Sequence, residues 1–170
     1  TRAGAQAAMA VAADPDRLRR DLYDDTIRYT SAFLADVIAR LQQVPGRVSL
    51  TYVSDHGESF RHTEGITGHG MARFSVAEAH VPLFFWANER LGRDRAGAWR
   101  NVLAHRDAVV RGDALFATVA TLAGVAIPGT DRSKDLASDA FAPLRDRAGI
   151  EMLCGGKLAR LGDAVDWRIP

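Results

Sequence analysis

Cysteine is nearly absent from this sequence, since Cys154 is the only one among 170 residues. A single thiol excludes a disulfide within these residues and leaves the redox compartment undetermined. Long apolar runs are also missing: the longest, Ala114–Pro128, contains Thr and Gly, ends in Pro and is too short to span a bilayer. Neither sign of charge dominates, because 22 basic and 21 acidic side chains give a net charge of +1. This balance provides no electrostatic basis for binding nucleic acid.

The composition that is present is that of a globular protein. With 47% hydrophobic and 25% charged residues, the chain can bury the core of one domain. We expect residues 1–13 to be a poorly ordered lead-in and residues 129–170 to be a variable C-terminal region of the same domain. The sequence starts Thr-Arg-Ala-Gly without Met, and we expect it to be a piece of a longer protein.

The first half of the sequence has a helical pattern followed by an extended one. A helix start at Asp14-Pro15 precedes apolar residues spaced by three or four to about Gln43, which predicts one long amphipathic helix. Pro45-Gly46 ends it, and the β-branched and aromatic residues beyond predict a buried strand that ends at about Ser54. Helix, tight turn and buried strand in succession are typical of an α/β sandwich.

The second half predicts a strand, a helix and a hairpin. His80–Trp86 reads as a second buried strand, and Asp113 is predicted to cap a helix over Ala114–Ala123 that Gly124 ends. Between them, Asn88–Asp107 is predicted to be surface loop or short helix. Residues 129–148 are polar and irregular, and the segments Ile150–Leu153 and Lys157–Leu161 are predicted to supply a hairpin or an edge strand.

Asp55 and His56 are the first candidate site residues. Neighbouring side chains on a strand point to opposite faces, but beyond the strand end, with Gly57 allowing a sharp turn, both can reach one ion. A carboxylate beside an imidazole is a plausible half of a zinc site. On spacing alone, a capping carboxylate next to an exposed imidazole is the simpler explanation of the pair. Glu58 is either a partner that orients His56 or an ordinary solvated acid.

The loop over residues 60–78 contains the other candidates. His69 lies between Gly68 and Gly70, which allows the backbone to approach a ligand closely, although a plain turn has the same pattern. His62 is either an exposed residue, or an extra metal ligand or a contact to the substrate that accepts a transferred group. The two remaining histidines, His80 and His105, are interpreted as structural or surface residues.

Several of these motifs together resemble one enzyme family. Tyr-Val-Ser-Asp-His-Gly-Glu-Ser at Tyr52–Ser59, the pair His69-Gly70 and the run His80-Val81-Pro82 resemble the C-terminal half of the catalytic domain of bacterial phosphoethanolamine transferases. These enzymes belong to the sulfatase and alkaline-phosphatase-like superfamily. Asp21–Thr30 resembles the family's Tyr-Asp-Asn-x-Ile-x-Tyr-Thr-Asp segment, and Leu115–Val125 resembles its last core helix. One colinear order over roughly residues 20–127 is more specific than any single motif.

The resemblance implies a three-layer αβα sandwich with a mixed, mostly parallel sheet, of which residues 1–170 form the C-terminal portion. It implies an enzyme with one or two Zn²⁺ ions that moves phosphoethanolamine from phosphatidylethanolamine, through a covalent Thr intermediate, to a lipid A or oligosaccharide acceptor. Such enzymes work at the periplasmic face of the bacterial inner membrane. By motif position, Asp55 and His56 are metal ligands, and His69 is a catalytic and substrate-binding residue that faces the phosphoryl group or a second zinc.

The implied partners are the phospholipid donor, the lipid or glycan acceptor, the N-terminal half of the same catalytic domain and an N-terminal membrane anchor. The nucleophilic Thr belongs to that other half, so we expect residues 1–170 alone to be inactive and, with two ligands, to bind zinc weakly. The family's Tyr-Leu-His-Gly-Pro sequence is replaced by Thr67–Met71, which leaves the acceptor open. Alternatives are a phosphoglycerol transferase, a sulfate or phosphate ester hydrolase, and a non-catalytic interaction domain or relic of the fold.

Overall fold

The structure is a computed structural model that describes residues 14–60, 68–70, 74–154 and 157–164. Its helices are α1 (Pro15–Leu41), α2 (Val76–Ala79), α3 (Glu89–Asp94), α4 (Ala96–Ala104) and α5 (Ala114–Ala123). Its strands are β1 (Ser49–Val53), β2 (Leu83–Ala87), β3 (Glu151–Cys154) and β4 (Lys157–Arg160). Two 3₁₀ turns cover Arg132–Lys134 and Leu161–Asp163. The prediction for residues 1–13 lies outside the described residues.

Helix α1 begins and ends close to where the sequence predicts. The Asp14 carboxylate accepts a hydrogen bond from the backbone N–H of Arg17 at 2.9 Å, which caps the first turn. The predicted apolar face is not buried within the described part of the chain, since Leu22 and Phe33 are both more than half exposed. Among the described contacts, the ring of Tyr23 packs edge-on against Phe60 at a centroid distance of 5.3 Å. That contact places the N-terminal part of α1 beside the loop that follows β1.

Both two-stranded sheets in the described residues are antiparallel. β1 pairs with β2 in the register Ser49 to Ala87 and Val53 to Leu83, and β3 pairs with β4 as the predicted hairpin. The combination of helices and strands agrees with the predicted α/β class, but the described residues contain no parallel pair and no three-layer sandwich. A parallel pair requires two strands joined by a crossover connection, whereas β1 and β2 run antiparallel.

The segment between β2 and α5 is not surface loop, as one reading of the sequence predicted, but two helices that supply the main core. Leu91 of α3 and Val102 of α4 are buried and pack in one cluster with Leu122 of α5. Asn88 determines where α3 begins: its side-chain oxygen accepts from the N–H of Leu91 at 2.9 Å. The same side chain donates to the carbonyl of Gly46 at 2.9 Å, which ties this helix to the turn after α1.

The region after α5 also contributes to the core, although its sequence is polar. Leu136 is buried in the same cluster, and its N–H donates to the buried hydroxyl of Thr118 at 3.0 Å. Asp113 occupies the predicted N-cap position, but its side chain makes no capping hydrogen bond: its backbone is already helical and its carboxylate makes an ion pair with Lys134 at 2.9 Å instead. The predicted helix end is confirmed: Gly124 has φ +79°, the left-handed conformation that glycine favours.

Candidate functional site

The site begins where β1 ends. Beyond Val53 the chain turns, with the Ser54 hydroxyl donating to the carbonyl of His56 at 2.7 Å and the Asp55 carboxylate accepting from the N–H of His56 at 3.1 Å. These short-range bonds replace strand pairing, so Asp55 and His56 are not held on opposite faces of a sheet. The position of this pair in a turn after the strand agrees with the sequence prediction.

Three side chains converge beside this turn. Ligand atoms of His56, Glu58 and His69 all lie within 4.8 Å of one another. The two imidazole rings stack with centroids 3.6 Å apart and an angle of 27° between their planes. Glu58 Oε2 lies 3.0 Å from His69 Nδ1, at hydrogen-bond distance. We call these three residues the His-Glu cluster; Glu58, which the sequence suggested only as a partner of His56, is in direct contact with His69.

The donor set of the His-Glu cluster fits a metal ion. Two imidazoles and one carboxylate are the protein ligands of many catalytic zinc sites. His56 Nδ1 lies 2.9 Å from the carbonyl of Gly57, and with its proton on Nδ1 the ring donates there and keeps a lone pair on Nε2. The contact of His69 Nδ1 with Glu58 leaves the Nε2 of that ring available in the same way. The cluster therefore offers nitrogen and oxygen donors whose orientation is already fixed.

Asp55 lies at the edge of this cluster. Its Oδ2 is 3.9 Å from His56 Nε2, and its side chain is 90% exposed. Two ligand atoms bonded to one tetrahedral zinc at about 2.0–2.1 Å lie about 3.3 Å apart. The Asp55 and His56 atoms are thus about 0.6 Å farther apart than two ligands of one zinc ion. The role of Asp55 as a ligand stays a prediction.

The second half of the site is a short loop held against the first. Ser59 and Gly68 form a two-bond antiparallel bridge at 3.0 and 2.9 Å, which returns the chain toward Glu58. Gly68 and Gly70 both have positive φ, +87° and +71°. Residues with a Cβ rarely adopt this conformation, so the backbone on both sides of His69 favours glycine. His62 lies outside the described residues.

Sequence reasoning missed the contribution of α2. Glu78 is buried, and its carboxylate accepts from the backbone N–H groups of Gly70 and Ser75, each at 3.0 Å. The spacing Ser75-x-x-Glu78 is a capping-box pattern, the signal from which this short helix could have been predicted.

An open cleft adjoins the cluster and gives a substrate room to reach it. Its lining includes His56 and His69, and elsewhere both basic and acidic side chains, among them Arg106, Asp107 and Arg147.

The other two histidines differ in their surroundings. His80 is exposed. His105 Nδ1 lies 2.9 Å from the carbonyl of Leu136, and its ring packs on Phe141, which is a structural environment.

Comparison with known proteins places the sequence of this chain in a family. The sequence profile described as Sulfatase matches residues 4–125, a range that contains the whole His-Glu cluster. The chain belongs to the sulfatase family. Phosphatidylethanolamine transferase Mcr-1 of Escherichia coli is 40% identical to this sulfatase-family chain over 74 residues, which are 41% of the chain and 14% of that protein. The resemblance to phosphoethanolamine transferases is thereby confirmed, and the sulfatase family implies an α/β fold of the alkaline-phosphatase type.

Two further comparisons concern structure. No solved structure gives a significant match to this sulfatase-family chain. Across the described residues, no helix has both the length and the apolar character needed to cross a membrane.

Proposed function

We propose that this sulfatase-family chain supplies metal- and phosphoryl-contacting residues of a phosphoethanolamine transferase whose donor is phosphatidylethanolamine. The observation that carries the proposal is the His-Glu cluster, which lies in a chain that is 40% identical over 74 residues to a protein named for that donor. Because the chain covers 14% of that relative, the activity proposed is that of a longer protein. We propose that its catalytic domain is a three-layer αβα sandwich with a mixed, mostly parallel sheet.

The proposed metal is one or two Zn²⁺ ions. His56, Glu58 and His69 supply nitrogen and carboxylate donors, and Asp55 is the further ligand that the motif predicts. When bound, the cation lowers the pKa of a nucleophile and offsets negative charge on phosphoryl oxygens. These donors would be shared with groups from the N-terminal half of the domain, including the Thr nucleophile that we place there.

His69 has an alternative proposed role, at the phosphoryl group itself instead of at a metal, because its one remaining ring nitrogen can serve only one of the two. It is half exposed and lines the cleft, and Glu58 holds its Nδ1, which fixes the ring and leaves the other nitrogen available to a non-bridging phosphoryl oxygen or the leaving group. We place the reaction at the periplasmic face of the inner membrane, through an N-terminal anchor, with a lipid A or oligosaccharide hydroxyl as acceptor. No nucleic acid is involved.

The test is a search for the covalent intermediate. The full-length protein is loaded with zinc and incubated with phosphatidylethanolamine labelled in the head group. We expect a phosphoethanolamine adduct on a Thr, and we expect H56A to lose both the adduct and part of the bound metal. The matched control is H80A, because His80 is exposed and lies outside the His-Glu cluster. Zinc-loaded protein that forms no adduct and transfers no label would contradict the proposal.

The family assignment alone is also compatible with a second function. The sulfatase profile covers residues 4–125, a longer stretch than the 74 residues matched by the transferase. A sulfate or phosphate ester hydrolase, or a phosphoglycerol transferase, would use the same cluster with a different nucleophile. Cleavage of aryl sulfates without a phosphoethanolamine adduct would select the hydrolase. Full-length protein that holds no metal would instead select a non-catalytic member of the family.

A further inference from the structure

One residue of α2 contacts both parts of the site. We define the His56 arm as residues 55–58 and the His69 arm as residues 68–70. Glu78 is 5% exposed, and it bonds to each arm through a different group. Burying a carboxylate costs free energy unless hydrogen bonds compensate for the lost water. The two hydrogen-bond partners of this side chain therefore show what holds it in place.

The side chain of Glu78 holds the His69 arm. Its Oε2 accepts from the N–H of Gly70 at 3.0 Å, and its Oε1 accepts from the N–H of Ser75 at 3.0 Å. The Ser75 bond spans three residues and is an ordinary helix cap. The Gly70 bond spans eight residues and has no part in capping α2. It fixes the backbone directly after His69.

The backbone of Glu78 holds the His56 arm. Its carbonyl accepts from the N–H of Gly57 at 2.9 Å, directly after His56. Gly57 lies so close to the backbone of α2 that a methyl group on it would overlap the carbonyl oxygen of Ala77. The two histidines whose rings stack 3.6 Å apart are thus each followed by a glycine whose N–H is bound to Glu78.

We propose that Glu78 is a positioning residue that sets the distance between His56 and His69. Its carboxylate fixes the His69 arm relative to α2, while its main chain fixes the His56 arm to the same short helix. In this role it acts through the two histidines and is not itself a metal ligand. For metal binding, the inference rests on the function proposed above, but the geometry itself does not require a metal.

The experiment compares E78A, E78Q and D135A in the full-length protein. Asp135 is a matched control, because it is also a buried carboxylate that accepts from a backbone N–H, that of Ala137 at 2.8 Å, and from a hydroxyl, that of Thr121 at 2.6 Å. It lies outside the His-Glu cluster. Amide hydrogen exchange is followed by NMR without metal, and the affinity for Zn²⁺ alone is then measured by competition with a chelator. Circular dichroism checks that each variant folds.

In E78A we expect the Gly70 amide to lose its protection from exchange, while the Gly57 amide, bound to a main-chain carbonyl, keeps it. Zinc affinity should fall by about 10- to 100-fold, the usual effect of removing a group that orients metal ligands. E78Q has one carbonyl oxygen instead of two acceptors, so we expect the local Ser75 bond to persist and the longer Gly70 bond to be lost. D135A should lower thermal stability and leave zinc affinity within about twofold.

A folded E78A or E78Q that keeps the Gly70 amide protected would overturn the inference. So would a D135A variant whose zinc affinity falls as much as that of E78A, because the effect would then be one of general stability. If the unmodified full-length protein binds no zinc, the proposed function fails. The exchange data still decide whether Glu78 positions the arms.

Discussion

Replacing Gly57 with alanine tests how closely the His56 arm must approach α2. The added methyl group would overlap the carbonyl oxygen of Ala77 and lie 3.1 Å from its carbonyl carbon and 3.5 Å from the Cα of Glu78. The obstacle is backbone and not a flexible side chain, so the arm itself must move. That movement lengthens the bond from the Gly57 N–H to the Glu78 carbonyl, now 2.9 Å.

The size of the effect follows from these two contacts. Overpacking costs about 1–3 kcal/mol, and losing one backbone hydrogen bond costs about 1 kcal/mol. The free energy of unfolding should therefore fall by about 2–4 kcal/mol. At about 2–4 °C per kcal/mol for a chain of this size, the melting temperature should fall by about 4–16 °C. The displacement also changes the position of His56 relative to His69, so zinc affinity should fall with it.

The assay is thermal unfolding followed by circular dichroism, with zinc competition on the same samples. The matched control is Gly97→Ala in α4, where the added methyl group has no atom within 4 Å. Gly97→Ala should be neutral or stabilising by up to about 1 kcal/mol. If Gly57→Ala melts within about 2 °C of the original protein and binds zinc equally well, the close approach of the arm to α2 is not as described.

Three other predictions concern the rest of the chain. Gly124→Ala should destabilise by about 1–2 kcal/mol in urea unfolding, because φ is +79° there; an unchanged midpoint would contradict the left-handed cap. Thr118→Val should cost about 1–3 kcal/mol, since it leaves the N–H of Leu136 buried without its acceptor, and retained exchange protection at that amide would refute this. The Ser133 hydroxyl and N–H lower the pKa of Asp131, so stability from this carboxylate is present above its ordinary pKa of 3.8 and is lost as the pH falls through the lowered value. Ser133→Ala should raise the pKa of Asp131 in an NMR titration, and no change would show that the hydroxyl is not the cause.

Much of the local structure was predictable because its signals lie within a few residues. Asp14 and Pro15 determine where α1 begins, and Gly124 determines where α5 ends, through backbone groups that are near in sequence. The same holds for the end of β1, where small and charged residues replace β-branched ones. Capping is less certain from sequence, as Asp113 shows: whether a side chain caps depends on its own backbone conformation and on competing partners such as Lys134.

The partners of α1 could not be read from its pattern. An apolar stripe with a spacing of three or four predicts that a helix has a face to bury, but not what covers it. In the described residues, Leu22 and Phe33 remain largely exposed. The antiparallel pairing of β1 with β2 is also decided by the tertiary structure, because the residue pattern of each strand is compatible with parallel or antiparallel pairing.

For the candidate site, the sequence alone determined that Asp55 and His56 follow a strand and that His69 lies between flexible glycines. The sequence also showed the family resemblance, because the motifs and their order can be read directly from it. Only the tertiary structure brought His69 onto the ring of His56, placed Glu58 beside both and tied the two arms to Glu78. The physical reason is loop closure: apart from the neighbours His56 and Glu58, these contacts join residues 8 to 21 positions apart, and their formation depends on how the intervening chain folds.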